Sequence, residues 1–430
     1  MPAAIFEADL TWTGTQFELG IQLELDAAGR IARVGPLGLQ PTVRLTGQAL
    51  LPGMVNVHSH AFQRGLRGKG DRFPAGMGNF WSWREAMYRL VEELDPEPFK
   101  RISVRAFREM LAAGVTTVGE FHYFHHTRGT TDYAFDRLIL EAAVEAGIRI
   151  KLLLAYYRTG GVDQPLAGGQ LRFATASPSE YWSQMDRLAP KLDPATQSLG
   201  AVAHSIRAAT PDEIAELHAE SLRRGQVFHI HVEEQRKEVE DCITAYGIPP
   251  MAVLTRAVKD CSNITAIHCT HTEPEDMDAY LAAGGRVCLC PLTEGNLGDG
   301  IPQLRNVHWA DNRLCVGSDS NLRIAMFEDL RWMEYEQRLA DQTRGALRPE
   351  DGYLARRLFE AGTIGGAAAL DLPVGTLAAG KEADFFTVDL AAPLLEGCDA
   401  AGLLDGLVFG ADQSVVKSTW VGGRRVYTAN

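Results

Sequence analysis

Eight short, mostly apolar runs punctuate the middle of the chain, at 54–57, 115–118, 150–155, 199–203, 227–231, 264–268, 286–290 and 314–317. Their length and continuous apolar character suit parallel strands buried on both faces. Helix-like stretches separate several of them, at 99–113, 134–146, 211–224, 249–259 and 274–283. Pro211, Pro249 and Pro274 stand where such helices begin, and Thr210 is a good N-cap. Gly114, Gly147, Gly225 and Gly284 stand just past their ends. Strand and helix alternating eight times predict a (β/α)8 barrel over residues 51–371, with its chemistry at the C-terminal ends of the strands.

The two ends of the chain keep a different pattern. Residues 17–25 alternate polar and apolar, 26–29 read as a turn, and 31–34 resume a strand. Near the other end, 383–388 and 415–421 are apolar runs, and Gly422-Gly423 turns into 425–427. Neither end holds enough strands for a stable sheet. Residues 1–50 and 372–430 are therefore expected to form one small composite β domain, a β-sandwich, beside the barrel.

Composition narrows the function classes. The 430 residues include 42 basic and 55 acidic side chains, a net charge of −13, which argues against a nucleic-acid partner. It leaves room for an anionic small molecule in a locally basic pocket. No run of eighteen apolar residues suggests a membrane span, and residues 1–12, with Glu7 and Asp9, lack a signal-peptide pattern. Seven cysteines with no CxxC pair suggest reduced thiols in a cytoplasmic protein.

The barrel rule gathers scattered polar residues into one constellation. His58 and His60 end the first strand and, two apart, share one face. His231 ends the fifth strand, His268 the sixth, and Asp319 follows the eighth. Imidazoles and a carboxylate converging on one mouth suit zinc, and also iron, manganese or cobalt. Taken singly, each has an ordinary reading as a hydrogen-bonded histidine or a helix cap; their joint placement favours a metal. Glu234, three residues after His231, is placed to move protons near a bound water. Spacing leaves open which of His229 and His231, and which of His268 and His271, points inward.

The segment Leu51-Pro-Gly-Met-Val-Asn-Val-His58-Ser-His60, with His231-x-x-Glu234, His268, Asp319 and Gly380-Lys-Glu-Ala-Asp-Phe385, resembles the amidohydrolase superfamily. Within it, the blocks around His58 to Arg64, Phe80 to Tyr88, Glu120 to His126, His204 to Arg207 and Cys290 to Asp299 resemble the formimidoylglutamate deiminases. The resemblance implies one divalent ion, zinc foremost, held by His58, His60, His231 and Asp319, with Glu234, His268 and Asp319 catalytic. It implies hydrolysis of N-formimino-L-glutamate to N-formyl-L-glutamate and ammonia, a step of histidine breakdown. Gln63, Arg84, Tyr123, His204 and Arg207 would bind this dicarboxylate, the two arginines by bidentate pairing. It further implies a homodimer, with Arg84 donated across the interface. Two other readings compete: an aminohydrolase of purine or pterin bases, and a catalytically inactive scaffold of the same fold.

Overall fold

Eight parallel strands occupy the eight predicted positions. In the computed structural model, which describes residues 4–71, 73, 80–304 and 312–429, these are β1 (Met54–Ser59), β2 (Val115–His122), β3 (Arg149–Tyr156), β4 (Gln197–Ser205), β5 (Phe228–Val232), β6 (Ile264–His268), β7 (Arg286–Leu289) and β8 (Leu314–Val316). They hydrogen-bond in chain order, all parallel. Every residue of β1, β2, β3, β5 and β6 is buried, as expected of strands covered by helices on one side and filled by side chains on the other.

The ring closes by a short seam. One parallel bridge joins Ser59 to Asp319; the Asp319 amide donates to the His58 carbonyl and the His60 amide to the Asp319 carbonyl, both at 2.9 Å. Gly317 permits the approach, since a Cβ there would lie 2.7 Å from both the Cβ and the carbonyl oxygen of His58.

The helices follow their punctuation. Pro211–Arg223 begins with a reciprocal cap: the Thr210 hydroxyl accepts from the Glu213 amide (3.3 Å), and the Glu213 carboxylate accepts from the Thr210 amide (2.9 Å). Ala134–Ala146 ends at Gly147 in the left-handed conformation. Among the described residues, no helix is long and apolar enough to cross a membrane.

The two chain ends meet in one mixed, mainly antiparallel eight-stranded sheet. Strand Val43–Pro52, which the polar alternation did not reveal, pairs in parallel with Ile5–Trp12 on one side and antiparallel with Phe385–Asp389 on the other. Phe6 and Trp420 lie three strands apart in this sheet, a span of about 14 Å if it were flat. Their ring centroids are 5.1 Å apart, so the sheet curls around its own apolar face. Helix Leu403–Gly410, in the C-terminal segment, packs instead against the barrel side: Arg331 of helix Met326–Asp341 donates to the Val408 carbonyl at 2.8 Å.

A buried ion pair joins sheet to barrel. Arg149 at the start of β3 donates to Asp384 (2.7 Å) and Glu382 (3.0 Å), and Asp384 also accepts from the Gly422 amide (2.7 Å). Removing only the guanidinium would leave Asp384, 1% exposed, without its cation, while Glu382 keeps Arg30 at 3.0 Å. Arg149→Ala is expected to cost about 3–5 kcal/mol, read as a lowered urea midpoint. A loss below about 1 kcal/mol would mean that the contact behaves as a surface pair.

Candidate metal centre and active site

The polar residues at the strand ends converge on one point. His58 and His60 each place Nε2 3.3 Å from Asp319 Oδ1, and His231 Nε2 lies 3.1 Å from His58 Nε2. His268 Nε2 stands 4.0 Å from both Asp319 Oδ2 and Glu234 Oε1. His268 and Asp319 hold left-handed backbone conformations, φ 74° and 50°, which are uncommon outside glycine and concentrate at functional sites.

Surrounding groups set the proton positions. His60 Nδ1 lies 2.8 Å from the Phe121 carbonyl and His231 Nδ1 2.9 Å from the His204 carbonyl, so each carries its hydrogen on Nδ1 and turns an Nε2 lone pair inward. Burial keeps these rings neutral: it lowers His60, pushes His231 well below the usual imidazole value, and takes His58 down to about 3 despite the adjacent Asp319. Asp319 resists its own burial, because His58, His60 and His268 hold it ionised. His268 behaves oppositely. Burial opposes its charge, but the hydrogen bond to Glu294 (3.1 Å) and the fields of Glu234 and Asp319 raise it to about 10.

Lone pairs and a carboxylate crowded at 3.1–3.3 Å repel one another unless a proton or a cation lies between them. The donor set of His58, His60, His231 and Asp319 therefore fits a divalent ion, with His268 and Glu234 beside it.

A cavity of about 560 Å3, counting its open mouth, leads to this cluster. His60, His231, His268, Asp319 and Glu234 form its floor, while His58 lies fully buried beneath. Gln63, Arg84, Tyr123, His204 and Arg207 line the same cavity. Gln63 donates to the Tyr123 hydroxyl (2.7 Å), and burial holds that phenol protonated. Arg207 reaches Glu234 at 3.2 Å and Glu238 at 3.8 Å. Arg84 lines the cavity of its own chain, where it donates to the Tyr88 hydroxyl at 2.6 Å. The side chain of Trp81, from the same sequence block, lies outside the described residues.

The rival histidines have other partners. His229 faces the Ala369 carbonyl (3.0 Å), and His122 and His125 share Asp136 at 3.1 and 2.8 Å. His126 faces the Ala174 carbonyl (2.7 Å), and His271 is absent from the cavity wall. Sequence reasoning missed Glu294 as the partner of His268. Its signal was its place four residues beyond Cys290, on a short helix whose N-terminus adjoins β7.

The sequence profile of the Amidohydrolase family matches residues 49–426. The chain belongs to the amidohydrolase family. This amidohydrolase is 38% identical over 412 residues to a formimidoylglutamate deiminase of Pseudomonas aeruginosa, covering 94% of this chain and 90% of that protein. It is 27% identical over 413 residues to a 5-methylthioadenosine/S-adenosylhomocysteine deaminase of Pelotomaculum thermopropionicum, covering 93% and 87%. A crystal structure of an amidohydrolase from Brucella melitensis superposes with a TM-score of 0.87 at 33% identity, over 98% of this chain and 94% of that one. A zinc-bound adenosine deaminase from Xanthomonas campestris shares the fold at a TM-score of 0.82 and 23% identity, over 98% and 92%.

The amidohydrolase site generates a direct test. Protein purified without chelator is expected to hold roughly one divalent ion per chain by elemental analysis, and Asp319→Ala or His231→Ala to hold little. Full occupancy in both variants would remove these residues from the ligand set.

Proposed function

We propose that this protein hydrolyses N-formimino-L-glutamate to N-formyl-L-glutamate and ammonia, with zinc as its ion. The observation that carries this reading is the pair of arginines, Arg84 and Arg207, on the wall of a cavity whose floor is the histidine–aspartate cluster. Planar guanidinium groups suit the two carboxylates of a glutamate skeleton. The Pseudomonas aeruginosa relative supports the same substrate. Seven free cysteines, six of them buried, suit a reducing cytoplasm.

His58, His60, His231 and Asp319 would hold a divalent ion, and the chemistry it would supply is a water made nucleophilic near neutral pH. Asp319, ionised and at the floor, accepts the proton as this water adds to the formimino carbon. His268, fixed by Glu294, donates a hydrogen bond that steadies the developing charge. Glu234, 4.0 Å from His268, delivers a proton to the imino nitrogen. The hydroxyl of the resulting adduct then gives up its proton, passed to the same nitrogen through Asp319; the carbon–nitrogen bond breaks, ammonia leaves, and the oxygen remains as the formyl carbonyl on the glutamate amine. Arg207 holds Glu234 from one side while facing the cavity, so it both captures a substrate carboxylate and orients the proton donor.

A purine-type substrate is the second reading, and the aromatic wall of Trp83, Tyr88, Tyr123, Tyr157 and Phe173 favours it, since such rings stack on bases. The arginines weigh against it, because a neutral base gives them no anionic partner.

Ammonia release from N-formimino-L-glutamate, measured beside adenosine-type substrates and guanine, separates the readings; turnover of a purine alone would overturn the first. Glu234→Gln is expected to retain its ion and lose about 10^2–10^4-fold in kcat, the usual worth of a positioned acid–base group. Arg207→Ala is expected chiefly to raise KM. Near-normal kcat in Glu234→Gln would end the proposed role of that residue.

A further inference from the structure

A directed chain of buried hydrogen bonds crosses the barrel's closing seam, and the chemistry described above does not use it. Asn56 Nδ2, on β1, donates to Ser318 Oγ (2.7 Å), and the Ser318 amide donates back to Asn56 Oδ1 (3.0 Å). Ser318 Oγ donates to Asn321 Oδ1 (2.7 Å), and Asn321 Nδ2 donates to Ser59 Oγ (3.0 Å). Ser59 Oγ then donates to Glu120 Oε2 (2.6 Å) on β2. All five residues are 2% exposed or less. Each hydroxyl accepts from one neighbour and reaches the next, and the chain ends on the carboxyl group of Glu120.

The second oxygen of that carboxylate is engaged too. Glu120 Oε1 accepts from the Ala61 amide at 2.7 Å. Glu120 thus holds both neighbours of His60, Ser59 by its hydroxyl and Ala61 by its backbone amide. The next residue, Phe121, receives the His60 Nδ1 hydrogen at 2.8 Å. Across the seam, Asn321 Nδ2 also donates to the Asp319 carbonyl (3.0 Å), which in turn accepts from the His60 amide (2.9 Å). His60 and Asp319 are held from opposite strands by one network, and Glu120 is its terminus.

We propose that Glu120 is a positioning residue for the metal centre: through Ser59, Ala61 and Asn321 it fixes His60 against Asp319 and so sets affinity for the ion. A glutamine cannot replace it. A glutamine keeps the shape but offers one acceptor where two donors converge, and its amide would turn a second donor towards Ser59.

The test reads metal, not substrate, so it stands or falls apart from the proposed reaction. Affinity for Co2+ is measured by chelator competition on the full chain, with the visible absorption bands as a record of ligand geometry, for wild type, Glu120→Gln, Ser59→Ala and the double variant. Glu120→Gln is expected to weaken Co2+ binding by about 10–100-fold and to alter the bands, as loss of a group that orients ligands usually does. Ser59→Ala should do the same, with the double variant scarcely worse than either single one. Glu120→Asp, which retains two acceptor oxygens on a shorter arm, should recover part of the loss. Wild-type affinity and bands in Glu120→Gln would overturn the proposal, even if its metal-free melting temperature fell. Should Glu120→Gln fail to fold, unchanged affinity in Ser59→Ala would overturn it equally.

Discussion

The two backbone hydrogen bonds between Asp319 and the His58–His60 pair make the site and the fold one problem. A barrel closes only where its last strand finds its first, and here that meeting is made by residues that also form the candidate metal centre. Each peptide group at the seam is buried and must be paired. Closing the ring therefore brings a carboxylate and two imidazoles to 3.3 Å. Gly317 makes room for this, and Asp319 adopts a left-handed backbone that most side chains avoid. Pairing and packing offset that strain, and a divalent ion would relieve the crowding of lone pairs.

Electrostatics divides the site into two halves. Burial keeps His58, His60 and His231 uncharged, the state in which imidazole ligates metal. One strand further on, His268 meets Glu294, Glu234 and Asp319, and their fields overcome the same burial. Chemically identical side chains are thus suited to be ligand or hydrogen-bond donor according to the carboxylates around them. Arg207 adds positive charge at the wall and is itself tempered by Glu234 and Glu238. In the proposed function, Arg84 and Arg207 would make the pocket of this acidic protein, with its net charge of −13, locally cationic.

Much of this was legible in the chain. Apolar runs and Pro–Gly punctuation located all eight barrel strands, because a strand buried on both faces must be apolar and a helix must stop somewhere. The His-x-His spacing and the strand-end positions of His231, His268 and Asp319 marked the centre, because alternation in an extended chain sends every second residue inward. Strand Val43–Pro52 and helix Leu403–Gly410 were not legible. Their partners lie from tens to hundreds of residues away, and local pattern carries no record of them.

The sequence by itself determined which residue types stand at the strand ends, and with them the family and the metal-binding character. Only the tertiary structure decided which histidines share the centre. His229 and His231 sit on one strand with the same spacing logic, and the choice fell to the Ala369 carbonyl, which takes one ring, and the His204 carbonyl, which turns the other inward. The same holds for Glu120, an ordinary acid in the linear chain. It becomes the end of a buried chain because β2 lies beside β1 in a register that faces Glu120 with Ser59. Register and closure are properties of the whole ring, and a one-dimensional pattern does not contain them.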